Sequence, residues 1–218
     1  KMKSWLKKIW VNNKSLVFLI FVMMCFRSTF ADWNTVPTKS MNPTIVEGDR
    51  VFVNKMAYDI RVPFTGISMC RFGNPGRGDI VTIESEAAIL TLAKRVVGLP
   101  GDTIEMIENQ LIINGTLVRQ TILEQNENSL IIEENLNGVK HLIKVTSQPT
   151  KYSSFRAVKV PENMYLVLGD NRDNSADSRV HGFIPRHEFR GRIGLVVFSL
   201  NYEKFYCPRL ARFFKDLI

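Results

Sequence analysis

The chain is sparing with the residues that build metal centres, disulfide frameworks and the commoner hydrolase signatures. Its 218 residues include three cysteines and three histidines. Cys25, Cys70 and Cys207 form no CxxC pair, and His141, His181 and His187 lack the spacing of zinc ligands, so neither a metal nor a cofactor is expected. A bond between Cys70 and Cys207 stays open. No G-x-S-x-G elbow presents a serine, and no internal repeat or long low-complexity tract suggests a solenoid or a disordered chain. The Asp/Asn-rich stretch 169–179 fails as a calcium loop, because Ser178 stands where the sharp turn needs glycine and Ile184 where a bidentate glutamate belongs. With 45% hydrophobic and 23% charged residues, the composition is that of an ordinary globular chain, long enough for one cored domain plus a tail.

Charge of one sign is abundant but localised. The net charge is +8, and Lys1, Lys3, Lys7, Lys8 and Lys14 have no acidic neighbour in the first fourteen residues; without them the remaining 204 residues carry only +3. This distribution argues for a membrane flank and against a nucleic-acid surface. Residues 16–26 follow as an unbroken apolar run, and extending it to 15–31 gives seventeen residues, at the lower limit for a span. A cleaved secretory signal, a signal anchor and a buried core helix all compete for it. Apolarity on every face beside a polybasic flank disfavours the core helix. The lysines place the N-terminus on the cytoplasmic side and the rest of the chain outside.

Beyond residue 31 the pattern is mainly β. Short Val/Ile-rich runs at 50–54, 79–84, 92–97, 103–107 and 110–114 alternate with turn signals. Further runs follow at 130–133, 139–145, 165–168 and 192–199. Asn114-Gly115 predicts a type I′ hairpin turn, since both residues tolerate positive φ. Only about 203–217 has helical spacing, with Phe205, Leu210, Phe213, Phe214 and Leu217 between basic residues; Pro208 places the start of that helix. The expected organisation is a basic tail at 1–14, an anchor at 15–31 and a catalytic-sized β domain at 32–218, with a β insertion at about 107–158.

Three segments carry chemistry-bearing residues. In 36–44 two prolines bracket Ser40 and predict a stiff, extended platform for a hydroxyl nucleophile, which still needs a base. A Ser-His-Asp arrangement stays open, because triads assemble in space. The other candidate base is Lys94, on a strand among Leu92, Ala93, Val96 and Val97, where alternation puts it on an apolar face. Making half of such a lysine neutral near pH 8 takes roughly 3 kcal/mol against an ordinary pKa of about 10.4, which burial can supply. The third segment, 169–179, lies between apolar runs, so its Asp and Arg residues are placed to pair beside a core.

Taken together, 36–44, 48–61 (Gly48-Asp49-Arg50-Val51-Phe52-Val53-Asn54-Lys55 with Tyr58 and Arg61), 94–102 (Lys94-Arg95-Val96-Val97-Gly98-Leu99-Pro100-Gly101-Asp102) and 169–185 resemble the four ordered boxes of the bacterial type I signal peptidases. The resemblance implies an antiparallel β fold on an N-terminal transmembrane helix. It also implies a Ser-Lys endopeptidase that removes signal peptides from exported pre-proteins after small residues of the Ala-x-Ala kind. Ser40 would attack and Lys94, held neutral, would serve as general base. Thr38 with the Ser40 backbone N–H would hold the oxyanion, Ser175 would orient the lysine, and Asp177 with Arg179 would brace the site. Val36 and Ala93 would line the pockets for the small substrate residues. The partners implied are pre-proteins and the lipid bilayer, with no nucleic acid, and the place is the bacterial inner membrane, single-pass, N-terminus inside.

Three departures from the family pattern stand out. Lys39 occupies a position usually held by a small or polar residue. Ala93 is smaller than the usual aliphatic side chain. Many Gram-negative members carry two spans; one run is visible here, and a preceding span stays open because the sequence starts at Lys1. The rivals are a self-cleaving repressor-type Ser-Lys protease, a conjugation-type processing peptidase and a non-catalytic membrane-tethered binding domain. The first has no room here for a DNA-binding domain.

Overall fold

In the computed structural model, which describes residues 2–86, 88 and 90–217, the β-branched runs pair as strands and the glycines and prolines turn them. Lys1 of the basic tail lies outside the described residues. A 28-residue helix, α1 (Met2–Thr29), leads directly into β1 (Ala31–Thr35), and a long turn separates this from β2 (Asp49–Asn54). A small hairpin of β3 (Asp59–Arg61) and β4 (Ser68–Arg71) precedes β5 (Ile80–Ser85) and β6 (Leu90–Gly98). The middle of the chain forms β7 (Thr103–Ile107), β8 (Gln110–Ile113), β9 (Thr116–Leu117), β10 (Arg119–Gln125), β11 (Ser129–Leu136), β12 (Val139–Thr146) and β13 (Phe155–Lys159). After β14 (Met164–Leu168) come the polar loop, the one-turn α2 (Ser178–His181) and β15 (Ile184–Pro185). The thirteen-residue β16 (Phe189–Asn201) is followed by the two-residue strands β17 (Cys207–Pro208) and β18 (Lys215–Asp216).

The main sheet runs β1-β2-β16-β5-β6-β14-β15, with β17 and β18 also on β16. Its central pairs are antiparallel, with Val81 opposite Lys94 and Val167 opposite Val96. Stretch 107–158 supplies most of two smaller sheets, β13-β7-β8-β9 and β10-β11-β12. The predicted tight turn joins β8 to β9, with Asn114 at φ 51° and Gly115 at φ 77°. Apolar side chains from β2, β5 and β16 bury Met41 and Ile45 against the sheet. Such burial contributes about 1.5–3 kcal/mol per large side chain. A second cluster joins Val97 of β6 and Leu168 of β14 to Ile104, Met106 and Leu111. The strands that will hold the lysine and the polar loop are thus packed on both sides.

Three sequence expectations need correction. The 203–217 stretch is not a helix. It forms single 3-10 turns at Tyr202–Lys204 and Leu210–Arg212 with β17 and β18 around the second. The open edge of β16 takes its backbone groups, with N–H donation from Arg209 to Ser199, from Phe214 to Val197 and from Leu217 to Gly194. Arg212 is drawn inward to Asp49, bonding Oδ1 at 3.0 Å and Oδ2 at 2.5 Å. The 36–44 segment is extended only up to Ser40. Beyond it the chain coils, with Asn42 N–H donating to Lys39 O and Ile45 N–H to Met41 O, and the Asn42–Pro43 peptide is cis. Finally, β10 and β13 were not expected; in β10 the adjacent Ile122 and Leu123 break the alternation at a bulge.

Among the described residues, no helix is long and apolar enough to cross a membrane. On α1 the apolar run 16–26 covers about 16 Å of helix at 1.5 Å per residue, roughly half of a bilayer's hydrocarbon core. These side chains are nonetheless bare: Phe18 is 68% exposed and Met23 61%.

Candidate active site

The turn after β1 and the middle of β6 meet at the mouth of the main sheet. The Lys94 amine donates to Ser40 Oγ at 2.9 Å and to the Ala93 carbonyl at 3.0 Å. Lys94 is 3% exposed. Two residues separated by 54 positions are therefore in direct hydrogen-bond contact, the geometry a hydroxyl and its base require. Burial pulls the Lys94 pKa down from 10.5 to about 8, with the Arg179 charge adding to the fall and Asp177 and Asp170 opposing it. At pH 7 an amine of that kind is neutral about one time in ten, against about one in 2500 for an ordinary lysine. Thr38 Oγ1 lies 3.4 Å from Ser40 Oγ, on the side of the serine open to solvent.

The second amine, Lys39, points elsewhere. Its Nζ lies 3.4 Å from Glu47 Oε2, both being solvent-exposed, and its carbonyl accepts from the Asn171 side chain at 3.0 Å. The Asn171 backbone N–H donates to Ser40 O at 3.0 Å. Asn171 thus clamps the Ser40 segment from the polar loop, a role that sequence reading did not give it.

That loop is held by buried ion pairs. Asp170 accepts from Arg95 through both oxygens, at 2.8 and 2.7 Å, and from Thr44 Oγ1 at 2.5 Å; burial alone would raise its pKa, but Arg95 outweighs it and the carboxylate stays well below the usual range. Arg172 donates to both oxygens of Glu134 on β11, Nη1 to Oε1 at 3.0 Å, and both residues are almost wholly buried. Asp177 accepts from the Arg179 guanidinium at 2.8 and 2.7 Å and from Gly169 N–H at 2.9 Å, so Asp177 and Arg179 form an ion pair in the loop. Ser175 is buried, yet its Oγ makes no hydrogen bond; the lysine amine bonds Ser40 and Ala93 O instead. The spacing is set by Gly169. A Cβ there would lie 2.2 Å from Ser175 Oγ and 2.5 Å from Ser40 O, so no other residue fits without displacing both.

A cleft of about 460 Å³ opens onto Ser40 and Lys94, and Val36 and Ala93 both line it, with Leu92, Met41 and Ile193 completing a largely apolar wall. Val36 and Ala93, expected 57 residues apart in sequence as neighbours in space, are brought to one cavity. Two of the three histidines lie beside carboxylates away from Ser40: His141 Nε2 is 3.3 Å from Glu134 Oε2, and His187 Nε2 is 3.8 Å from Glu86 Oε1. Glu86, His187 and Glu188 form a grouping of potential metal ligands within 4.8 Å of one another that spacing along the chain does not reveal. It lines a recess of its own with Glu84, Ser85, Thr91 and Arg190. All three cysteines are free, with Cys70 and Cys207 exposed.

Comparison with known proteins bears on the same residues. The family described as "Signal peptidase, peptidase S26" matches residues 7–198. The chain is 36% identical over 174 residues to a signal peptidase I of Pseudomonas aeruginosa, covering 77% of this chain and 61% of that protein. It is 34% identical over 191 residues to a protein named signal peptidase I P from Bacillus subtilis subsp. natto, covering 87% of this chain and 88% of the relative. A crystal structure of a signal peptidase I from Enterococcus faecalis aligns at 29% identity with a TM-score of 0.36, over 56% of this chain and 97% of that one, a score too low to bear on the fold. The chain spans 61% of the length of the Pseudomonas relative. With a Ser-Lys pair in contact and the family's sequence running through all four segments that build the site, the chain belongs to the signal peptidase S26 family.

Proposed function

We propose that this chain is a membrane-anchored serine endopeptidase that cleaves signal peptides from exported pre-proteins, with Ser40 as nucleophile and Lys94 as general base. One observation carries the reading: a dry lysine amine, neutral in an appreciable fraction of molecules, sits 2.9 Å from an accessible serine hydroxyl. The neutral amine takes the hydroxyl proton as Oγ attacks the scissile carbonyl. The oxyanion forms beside the Thr38 hydroxyl and the Ser40 backbone N–H. The lysine, now an ammonium, protonates the departing amine, and the amine so regenerated activates the water that releases the acyl group. Val36 and Ala93 narrow the cleft, so small residues before the scissile bond are accepted and bulky ones rejected by sterics. Ser175, buried with a free hydroxyl, orients the amine once substrate draws the Ser40 hydroxyl away.

α1 serves as the signal anchor, seated in the inner membrane with its lysine-rich end on the cytoplasmic side and the β domain on the outer side. The support is the bare apolar run 16–26 and the basic flank before it. The organisation follows as a basic tail (1–14), an anchor that ends with α1 at Thr29 rather than at residue 31, and a catalytic domain that begins with β1. The test is cleavage of an exported pre-protein by the full chain in detergent, compared with Ser40→Ala and Lys94→Ala. Both variants are expected to lose cleavage by at least three orders of magnitude, as removal of a nucleophile or its base does. Wild-type cleavage by either variant would rule out the pair.

A further inference from the structure

A second cavity, of about 380 Å³, lies at the foot of α1, away from the catalytic cleft. Its wall combines the last residues of the helix with cations from three separate parts of the sheet: Lys55 after β2, Arg61 at the end of β3 and Arg190 in β16. Glu84 is the single acidic residue on that wall among the described residues. Three polar atoms of the lining residues are buried without a hydrogen-bond partner: Arg61 Nη1, Arg190 Nε and Thr29 Oγ1. Thr29 as a whole is only 5% exposed. Buried polar atoms without a partner are costly, at about 1–3 kcal/mol each, so the side chains that build this wall are not fully satisfied within the chain.

The surrounding charges favour an anion. Arg190 is paired with Glu84 at 2.5 Å, and Arg61 with Asp59 at 3.1 Å. Asp59 is shared with Arg186 at 2.9 Å and Arg71 at 3.9 Å, while Asp32 is shared between Arg27 at 2.7 Å and Lys55 at 3.3 Å. Three carboxylates therefore face six cations in these pairs, and Glu86 and Glu188, which line the adjoining recess with Glu84 and Arg190, reduce the positive excess to one without removing it. Forked guanidinium donors with a lysine and a threonine hydroxyl match the several acceptor oxygens of a phosphate better than the two of a carboxylate.

We propose that this cavity binds the phosphate of an anionic phospholipid headgroup. The phosphate chemistry stands on the cavity alone, whereas the lipid as its source rests on the anchor reading of α1 given above. Ser28 and Thr29 end the helix that carries the bare apolar run, so the cavity opens where that helix would leave the acyl layer, at headgroup depth. Phe64, which lines the cavity, is 64% exposed, and Ile67 and Met69 a few residues further along the chain are 64% and 71% exposed, so this stretch offers apolar contact to the same lipid. Basic residues at a membrane surface add to such binding through the negative potential of anionic lipids.

The test uses the full chain in a neutral detergent, titrated with dihexanoyl phosphatidylglycerol, dihexanoyl phosphatidylcholine and inorganic phosphate, and read by calorimetry. Wild type is expected to bind the phosphatidylglycerol saturably, one per chain, with the choline lipid weaker. Arg190→Gln and Lys55→Gln are each expected to weaken it roughly tenfold, the loss of one charge-assisted contact. Pre-protein cleavage by both variants in detergent checks that they are folded. Unchanged affinity in both variants would overturn the site. Binding of inorganic phosphate with no binding of phosphatidylglycerol would overturn the lipid as ligand. Flotation on phosphatidylcholine vesicles tests the anchor separately: if wild type fails to float yet binds phosphatidylglycerol with the expected losses in the variants, the anchor reading fails and the phosphate site is upheld.

Discussion

Replacing Lys94 with methionine separates a lysine kept neutral for catalysis from one that merely fills space. The amine is held at about 8 against an ordinary 10.5, so carrying its charge in the folded state costs about 3 kcal/mol. At pH 6.5 the lysine is protonated in both folded and unfolded chains, and this cost is present in full. Methionine removes it while giving up the bonds to Ser40 Oγ and Ala93 O, worth about 1 kcal/mol net. Lys94→Met is therefore expected to be inactive yet more stable than wild type by about 2 kcal/mol at pH 6.5. From pH 8 to 9.5 the folded protein sheds the proton while the unfolded chain keeps it, so wild-type stability rises by about 2 kcal/mol relative to the variant. The advantage of the variant should vanish by pH 9.5. Thermal unfolding in detergent would read this as a gap of several degrees at the lower pH that closes at the higher. A variant less stable than wild type at pH 6.5, or a gap that does not change with pH, would refute the account of a desolvated amine.

Other substitutions probe the frame around it. Gly169→Ala drives a methyl into Ser175 and the Ser40 carbonyl, and should cost about 1–3 kcal/mol of stability and lower kcat about a hundredfold, with KM little changed, in steady-state peptide cleavage. Glu134→Gln leaves Arg172 buried without its charge partner and should cost about 3–5 kcal/mol in denaturant unfolding. Because the Glu134 carboxyl sits at about 2, where Arg172 overcomes the effect of burial, that difference should be full at neutral pH, begin to shrink below about 4.5 as the unfolded chain takes up the proton, and be lost by about pH 2. Ala93→Leu narrows the cleft and should lower kcat/KM for an Ala-x-Ala peptide about tenfold, measured against a glycine-containing peptide that should be affected less.

Ser40 and Lys94 were legible as a pair through the resemblance of the four ordered segments, which outweighed the blander reading each has alone. Prolines beside Ser40 and apolar neighbours around Lys94 mark a presented hydroxyl and a desolvated amine, and the order of the four segments made them a set. Their contact across 54 positions needed the fold. Gly169 and Asn171 were in view within the polar loop, but their roles come from close approach to Ser40 O, which no periodicity encodes. Arg172 with Glu134 and Arg95 with Asp170 are long-range pairs that only the docking of β11 and β6 on that loop creates. The C-terminal tail misled because the 3–4 spacing of its apolar residues Leu210, Phe213, Phe214 and Leu217 is compatible with a helix, whereas an unfilled edge of β16 offers its backbone a better set of partners. Propensity was overridden by tertiary pairing.

The most direct measurement is the pH dependence of kcat/KM for a peptide whose leader ends in Ala-x-Ala, taken with the full chain in detergent. Activity should rise tenfold per pH unit on the acid side and level off near pH 8, as the Lys94 ammonium loses its proton. A rising limb centred near 6.5, the range of a histidine, or a rate independent of pH from 6 to 9, would contradict the assignment of Lys94 as the base.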